Sequence, residues 1–160
     1  MRSKRQVSAA VIVVAVVVLL LAAAVYFGSS LFASRTLLTI GDGVFHARLA
    51  LDGPAREKGL SGVDSLQADE AMIFAFAGDD DWEIWMKDMK IPIDIVWLDK
   101  DKKVIYIAKN VSPDGGEDTR FRPKSAARYV IELPAGTVDS KAIVVGRTAV
   151  FEIDESAVKP

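Results

Sequence analysis

Ile91-Pro92-Ile93-Asp94-Ile95-Val96-Trp97-Leu98-Asp99-Lys100-Asp101-Lys102-Lys103-Val104-Ile105-Tyr106-Ile107-Ala108 is the stretch whose reading decides the fold. Two runs rich in β-branched and aromatic residues flank an unbroken charged segment, the pattern of two strands joined by a polar turn. Along the first run, alternation sends Ile91, Ile93, Ile95 and Trp97 to one face. Asp94, Val96 and Leu98 fall on the other.

The same period continues outward in both directions. Over Val44–Leu51, Phe45, Ala47, Leu49 and Leu51 share one face, and His46 and Arg48 share the other, which predicts a half-buried strand. Asp52-Gly53-Pro54 ends it, and residues 55–66 predict a short helix or helical turn. Met72–Phe76 predicts a core strand, interrupted by a polar loop at Gly78–Asp81. Residues 111–124 contain Pro113, Gly115, Gly116 and Pro123 and predict a long surface loop. Further strands are expected over 127–133, 142–145 and 149–153, with turns at Pro134–Gly136 and Gly146–Arg147. Short strands at this spacing predict a mainly β domain over residues 36–160: a compact, closed or nearly closed, barrel-like sheet with one or two short helices.

The N-terminal part has a different composition. Val7–Phe27 is a run in which only Ser8 is polar, and as a helix it would be about 30 Å long, matching the hydrocarbon core of a bilayer. Arg2, Lys4 and Arg5 precede it, and the next basic residue is Arg35. By the positive-inside rule, residues 1–6 form a cytoplasmic stub and the globular part lies outside. Residues 7–27 are thus expected to be a single transmembrane helix, a signal anchor, and 28–35 a short tether to the exported domain at 36–160. A cleaved signal peptide is the rival reading, with Ala22–Ala24 or Phe32-Ala33-Ser34 near its cleavage site. The run exceeds the usual length of a signal core, which favours the anchor.

Charge and residue types then narrow the function. Residues 36–160 hold 16 basic and 22 acidic residues, a net −6 that disfavours nucleic acid as a partner. The chain has no cysteine, which excludes disulfides, thiolate metal sites and a cysteine nucleophile. His46 is the only histidine, too few nitrogen ligands for zinc, and it reads as an exposed strand residue. Ser61 lacks the Gly-x-Ser-x-Gly elbow of a hydrolase nucleophile and reads as a turn or helix-start residue. Asp79-Asp80-Asp81 lacks the spacing of a calcium loop, and Met72, Met86 and Met89 read as core rather than as copper ligands. No metal site and no cofactor is expected.

Several blocks in order carry a family resemblance. They are Arg56-Glu57-Lys58-Gly59-Leu60-Ser61-Gly62, Met72–Phe76, Trp85-Met86-Lys87-Asp88-Met89-Lys90-Ile91-Pro92-Ile93-Asp94-Ile95, and Tyr129–Gly136 followed by Val145-Gly146. Through them the chain, from about Phe45 to Phe151, resembles the DUF192 family of small prokaryotic domains. The pattern departs from the family's at Ala71, Asp88-Met89 and Arg147. The resemblance implies a mainly β fold and an envelope location, and no activity.

Trp85, Lys87, Asp94 and Glu132 form the candidate ligand-binding set. A carboxylate among apolar neighbours, as at Asp94 and at Glu132 between Ile131 and Leu133, must be paired, hydrogen-bonded or held with a raised pKa. Lys87 or Lys90 could supply the pairing charge. One reading is a cleft in which Trp85 offers a flat surface and the charged groups orient a polar ligand. The other is a polar network that fixes strand register. The expected function is a membrane-anchored, non-catalytic module that binds a small polar ligand or an envelope protein. The alternative is an envelope hydrolase using Asp94 and Glu132 as paired carboxylates, which requires both groups across one open cleft.

Overall fold

The computed structural model describes residues 11–18 and 35–160. The chain forms two units, Met1–Ala33 and Ser34–Pro160. In the first, residues 11–18 are helical with exposed side chains. Among the described residues no helix is long and apolar enough to cross a membrane. Of the expected span, 7–10 and 19–27 lie outside the described residues, as do the stub and most of the tether.

The second unit is built on a mixed six-stranded sheet. In chain order its strands are β1 (Arg35–Ile40), β2 (Gly43–Ala50), β3 (Glu70–Asp80), β5 (Ile93–Leu98), β6 (Val104–Val111) and β8 (Ala127–Pro134). A separate pair joins β4 (Ile84–Trp85) to β7 (Arg120–Phe121). The spatial order in the large sheet is β1-β2-β3-β8-β5-β6. Every pairing is antiparallel except β2 with β3, whose parallel alignment requires a crossover. That crossover carries the helix α1 (Gly53–Lys58), and a second short helix, α2 (Thr137–Ser140), follows β8.

The central strands are covered on both faces. Ile73, Val96, Leu98, Tyr129, Ile131 and Leu133 enter one core with Leu38, Phe45, Val138 and Phe151. Met72, Phe74, Ile93, Ile95, Trp97 and Val130 enter a second core beneath Leu60, Ile84 and Met86. Strict alternation along β5 thus separates Ile93, Ile95 and Trp97 from Val96 and Leu98, as expected. The hairpin β5–β6 forms with Asp99 as its turn anchor: its carboxylate accepts from the Asp101 and Lys103 amides.

The sheet is open, contrary to the expected closed or nearly closed barrel. Strands β1 and β6 are its edges and do not pair with each other. The segments expected to complete it, 142–145 and 149–153, do not extend as strands. Ala142 at φ 49° and Gly146 at φ 91° turn the chain, leaving only the isolated bridges Thr39↔Val150 and Lys103↔Thr148. This segment is a strap that touches β1 at one point and the β5–β6 turn at another. Two other differences lie at element ends. The helix expected over 55–66 stops at Lys58, where Gly59 takes φ 46°. The expected loop at 111–124 contains a 3-10 turn, Pro113–Asp118, and the strand β7.

Candidate functional site

Glu132 projects from β8 on the face of the second core. The register places Arg48, Met72, Glu132 and Ile95 in one row across β2, β3, β8 and β5. Arg48 and Glu132 therefore share a face, separated by Met72. Glu132 is 3% exposed, and its Oε2 has no hydrogen-bond partner. Burial raises its pKa to about 8, against the pull of the Arg48 charge. At neutral pH its carboxyl is therefore protonated, a donor as well as an acceptor.

A cleft of about 200 Å³ opens above this carboxyl. One wall is α1 and the turn that follows it, from Arg56 to Ser61; the other is β4 with Glu83, Ile84 and Trp85. Phe74 and Phe76 from β3 and Met89 complete the lining. Asp52 caps α1 by accepting from the Ala55 amide at 2.8 Å. At Gly59 a Cβ would come within 3.0 Å of the Phe74 ring, so glycine lets the turn sit on that ring as well as adopt its positive φ. Ser61 Oγ donates to the Lys87 carbonyl and the Gly62 amide to the Asp88 carbonyl, both at 2.8 Å, which ties this turn to the loop after β4.

The β4 wall is held by aromatic packing and ion pairs. Trp82 stacks on Phe76 with ring centroids 4.0 Å apart, and Trp97 Nε1 donates to the Trp82 carbonyl at 2.8 Å. The half-buried Trp85 ring has Lys87 Nζ and the Arg120 guanidinium each 5.2 Å from its centroid. Arg120 also pairs with Glu83 at 2.8 Å, and Arg122 bridges Glu83 and Asp81. These hydrogen bonds from Arg120 and Arg122 hold the Glu83 carboxyl below the usual carboxylate range.

The sequence candidates separate in the fold. Trp85 and Glu132 line one cleft. Lys87 lies beside it, facing a shallower depression with Pro54, Glu57, Lys58, Ser61 and Asp88. Asp94 is elsewhere. It is fully buried, pairs in register with Leu133, and so lies on the sheet face opposite Glu132. Its two oxygens accept from the Asn110 and Val138 amides, each at 2.7 Å. Asp94 is thus a structural bridge between β6 and the start of α2, partnered by main chain rather than by the expected lysine. Lys90 instead pairs with Asp64 at the surface. The paired-carboxylate arrangement does not exist, because a one-residue offset between β5 and β8 puts the two acids on opposite faces.

Arg56, Phe74, Phe76, Glu83 and Met89 also line the cleft and were not among the sequence candidates. Arg56 and the two phenylalanines lie inside the blocks that carry the family resemblance. Among the described residues no group of three acidic or histidine side chains is placed to hold a metal ion.

Residues 36–151 match the model of the DUF192 family, described as "Uncharacterized ACR". No curated protein matches the chain. Among solved structures, a Sinorhizobium meliloti protein provisionally described as a transcription regulator is 27% identical, with a TM-score of 0.66 over 73% of this chain and 92% of that one. A protein of unknown function from Novosphingobium aromaticivorans is also 27% identical, with a TM-score of 0.66 over 72% of this chain and 83% of that one.

Proposed function

The chain belongs to the DUF192 family, and from that premise we propose that its globular unit is a non-catalytic module that binds a small ligand in the Glu132 cleft. One observation carries this reading: a carboxyl that is 3% exposed, unpartnered at Oε2, and set at the base of an otherwise largely apolar cleft. Leaving a buried polar group without a partner costs about 1–3 kcal/mol, and an occupant that supplies the partner recovers it. Pockets of this kind, apolar with a few convergent polar groups, are the usual form of small-molecule sites. Asp94 lies on the opposite sheet face, so the Asp94–Glu132 pair that hydrolysis requires is absent, which supports binding over hydrolysis.

The sequence supports a position of the module at the membrane. Residues 7–27 serve as an uncleaved anchor with the N-terminus in the cytoplasm, and the binding unit lies outside it. The apolar length of the run and the basic residues before it support this orientation. The regulator description of the Sinorhizobium protein does not carry over as DNA binding, because a net −6 over residues 36–160 opposes a phosphate backbone.

Small aromatic compounds test the cleft. Benzamide titrated into the detergent-solubilised full chain should bind at one site, and Trp85→Ala, which removes one wall, should weaken it about tenfold, the loss of roughly 1.4 kcal/mol of contact. Equal binding by wild type and Trp85→Ala, with the variant folded by circular dichroism, would place the ligand elsewhere.

A further inference from the structure

The charges around the cleft identify the chemistry of its occupant; this step rests on the binding reading above and sharpens it. Arg56 reaches the cleft from α1. Its Nη1 donates to the Leu51 carbonyl at 3.1 Å and the Ala75 carbonyl at 3.0 Å, and its guanidinium lies 5.1 Å from the Phe76 centroid. All of these partners are neutral, and Nε and Nη2 remain for an occupant. Arg48, in the same row as Glu132, has a buried Nε without a partner. Among the described residues, neither Arg48 nor Arg56 has a carboxylate at ion-pair distance.

The acids nearby do not offset these two cations. Glu83 is engaged by Arg120 and Arg122. Glu57 on α1 is matched by Lys58, which lines the same cleft without forming an ion pair with it. Glu132 is neutral in its burial. The cleft thus presents the Arg56 guanidinium, unpaired with any acid, beside an O–H donor, with Arg48 in the same sheet row outside the lining. A cationic occupant would meet the Arg56 guanidinium, which has no carboxylate at ion-pair distance. A neutral one would leave it as it is. An anion would satisfy both the charge and the open donor.

We propose that the cleft takes a small monocarboxylate with a flat apolar body, its carboxylate accepting hydrogen bonds from the Arg56 guanidinium and the Glu132 O–H. The body lies among Leu60, Phe74 and Trp85, and about 200 Å³ admits a molecule the size of a single substituted ring. Binding then depends on pH with a defined sign. The titratable and charged groups around Glu132 are Arg48 from β2, in the same sheet row, and Arg56, Glu57 and Lys58 from α1 and Glu83 just before β4, which line the cleft with it. Above about pH 8 Glu132 loses its proton, and a carboxylate beside it meets a like charge instead of a donor. Affinity is therefore steady on the acid side and falls toward pH 9.

The experiment uses benzoate, benzamide and benzylammonium, isosteres of different charge, titrated calorimetrically into the detergent-solubilised full chain. At pH 6 benzoate should bind at least about tenfold more tightly than benzamide, the worth of one charge-assisted contact. Raising the pH to 9 should weaken benzoate about tenfold and leave benzamide unchanged. Glu132→Gln, which retains a donor but cannot ionise, should bind benzoate with a flat pH profile. Arg56→Gln should lose the preference for benzoate over benzamide. Arg56→Lys keeps the charge without the fork, should bind benzoate at an intermediate level, and guards against a folding defect in Arg56→Gln. Benzamide or benzylammonium binding as tightly as benzoate, or benzoate affinity that is constant or rises with pH, would overturn the carboxylate assignment alone. Binding of none of the three would overturn it together with the binding reading.

Discussion

Glu132 and Asp94 are both buried carboxyl groups, and they differ in what surrounds them. Asp94 receives two main-chain amides, whereas Glu132 Oε2 receives nothing. Removing the Asp94 carboxylate should therefore be expensive. Asp94→Ala leaves the buried Val138 amide and the part-buried Asn110 amide unpartnered and should cost on the order of 3 kcal/mol in chemical denaturation, without changing ligand affinity in the folded fraction. Glu132 should instead impose a pH dependence on stability. Its folded pKa of about 8 lies above the ordinary 4.5, so the folded state holds the proton more tightly than the unfolded one. The contribution is fully present below about pH 4.5 and is lost as pH rises to about 8. The melting temperature should fall over that interval, and Glu132→Gln should flatten the slope. An unchanged slope in the variant would assign the dependence to other groups. Both acids stood out in the sequence because their neighbours are apolar. Their separation to opposite faces did not, since alternation gives each residue's face within its own strand and only the register of β5 against β8 relates the two.

At the scale of elements, strong alternation was legible and weak pairing was not. Strands β2, β5, β6 and β8 follow apolar patterns that packing on both sheet faces rewards. Strand β1 was overlooked because it follows the tether directly, and β4 because its two residues pair only with β7. The β3 strand runs to Asp80 through residues that read as a loop, since Asp80 pairs with Ala127 beyond a bulge. The segments 142–145 and 149–153 were read as strands from their apolar residues, yet only Ile143, Ala149 and Phe151 enter the core and the backbone ties are isolated ones. Val150 exchanges both of its bonds with Thr39 at 2.8 Å, and Ala149 donates to the Lys102 carbonyl at 2.9 Å. Val150→Pro removes one of these donors from a largely exposed residue and should cost about 1–3 kcal/mol. Hydrogen exchange at the Ala149 and Thr39 amides should accelerate in the same variant, whereas the β5 and β8 amides should keep their protection.

For the whole molecule, two compositions meet in one chain: an apolar run with basic residues before it, and a globular unit whose acids outnumber its bases. That division was legible from sequence alone, as was the family. The cleft was legible only in part. Trp85 and Glu132 were identified, but the walls formed by α1 and β4 are assembled by contacts between distant segments, such as Ser61 with Lys87. If residues 7–27 anchor the chain, the intact mass from extracted membranes should include residues 1–35, and protease added outside intact cells should cleave the globular unit once it is unfolded. A mature chain beginning near residue 25–35 would replace the anchor with a cleaved signal.

The binding account turns on the state of one carboxyl group. A carbon-13 NMR titration of Glu132 in the full chain, with and without saturating benzoate, reads it directly. The account predicts a midpoint near pH 8 that moves upward when the cleft is filled, because the occupant binds the protonated form. A midpoint in the ordinary carboxylate range, unmoved by benzoate, would contradict it.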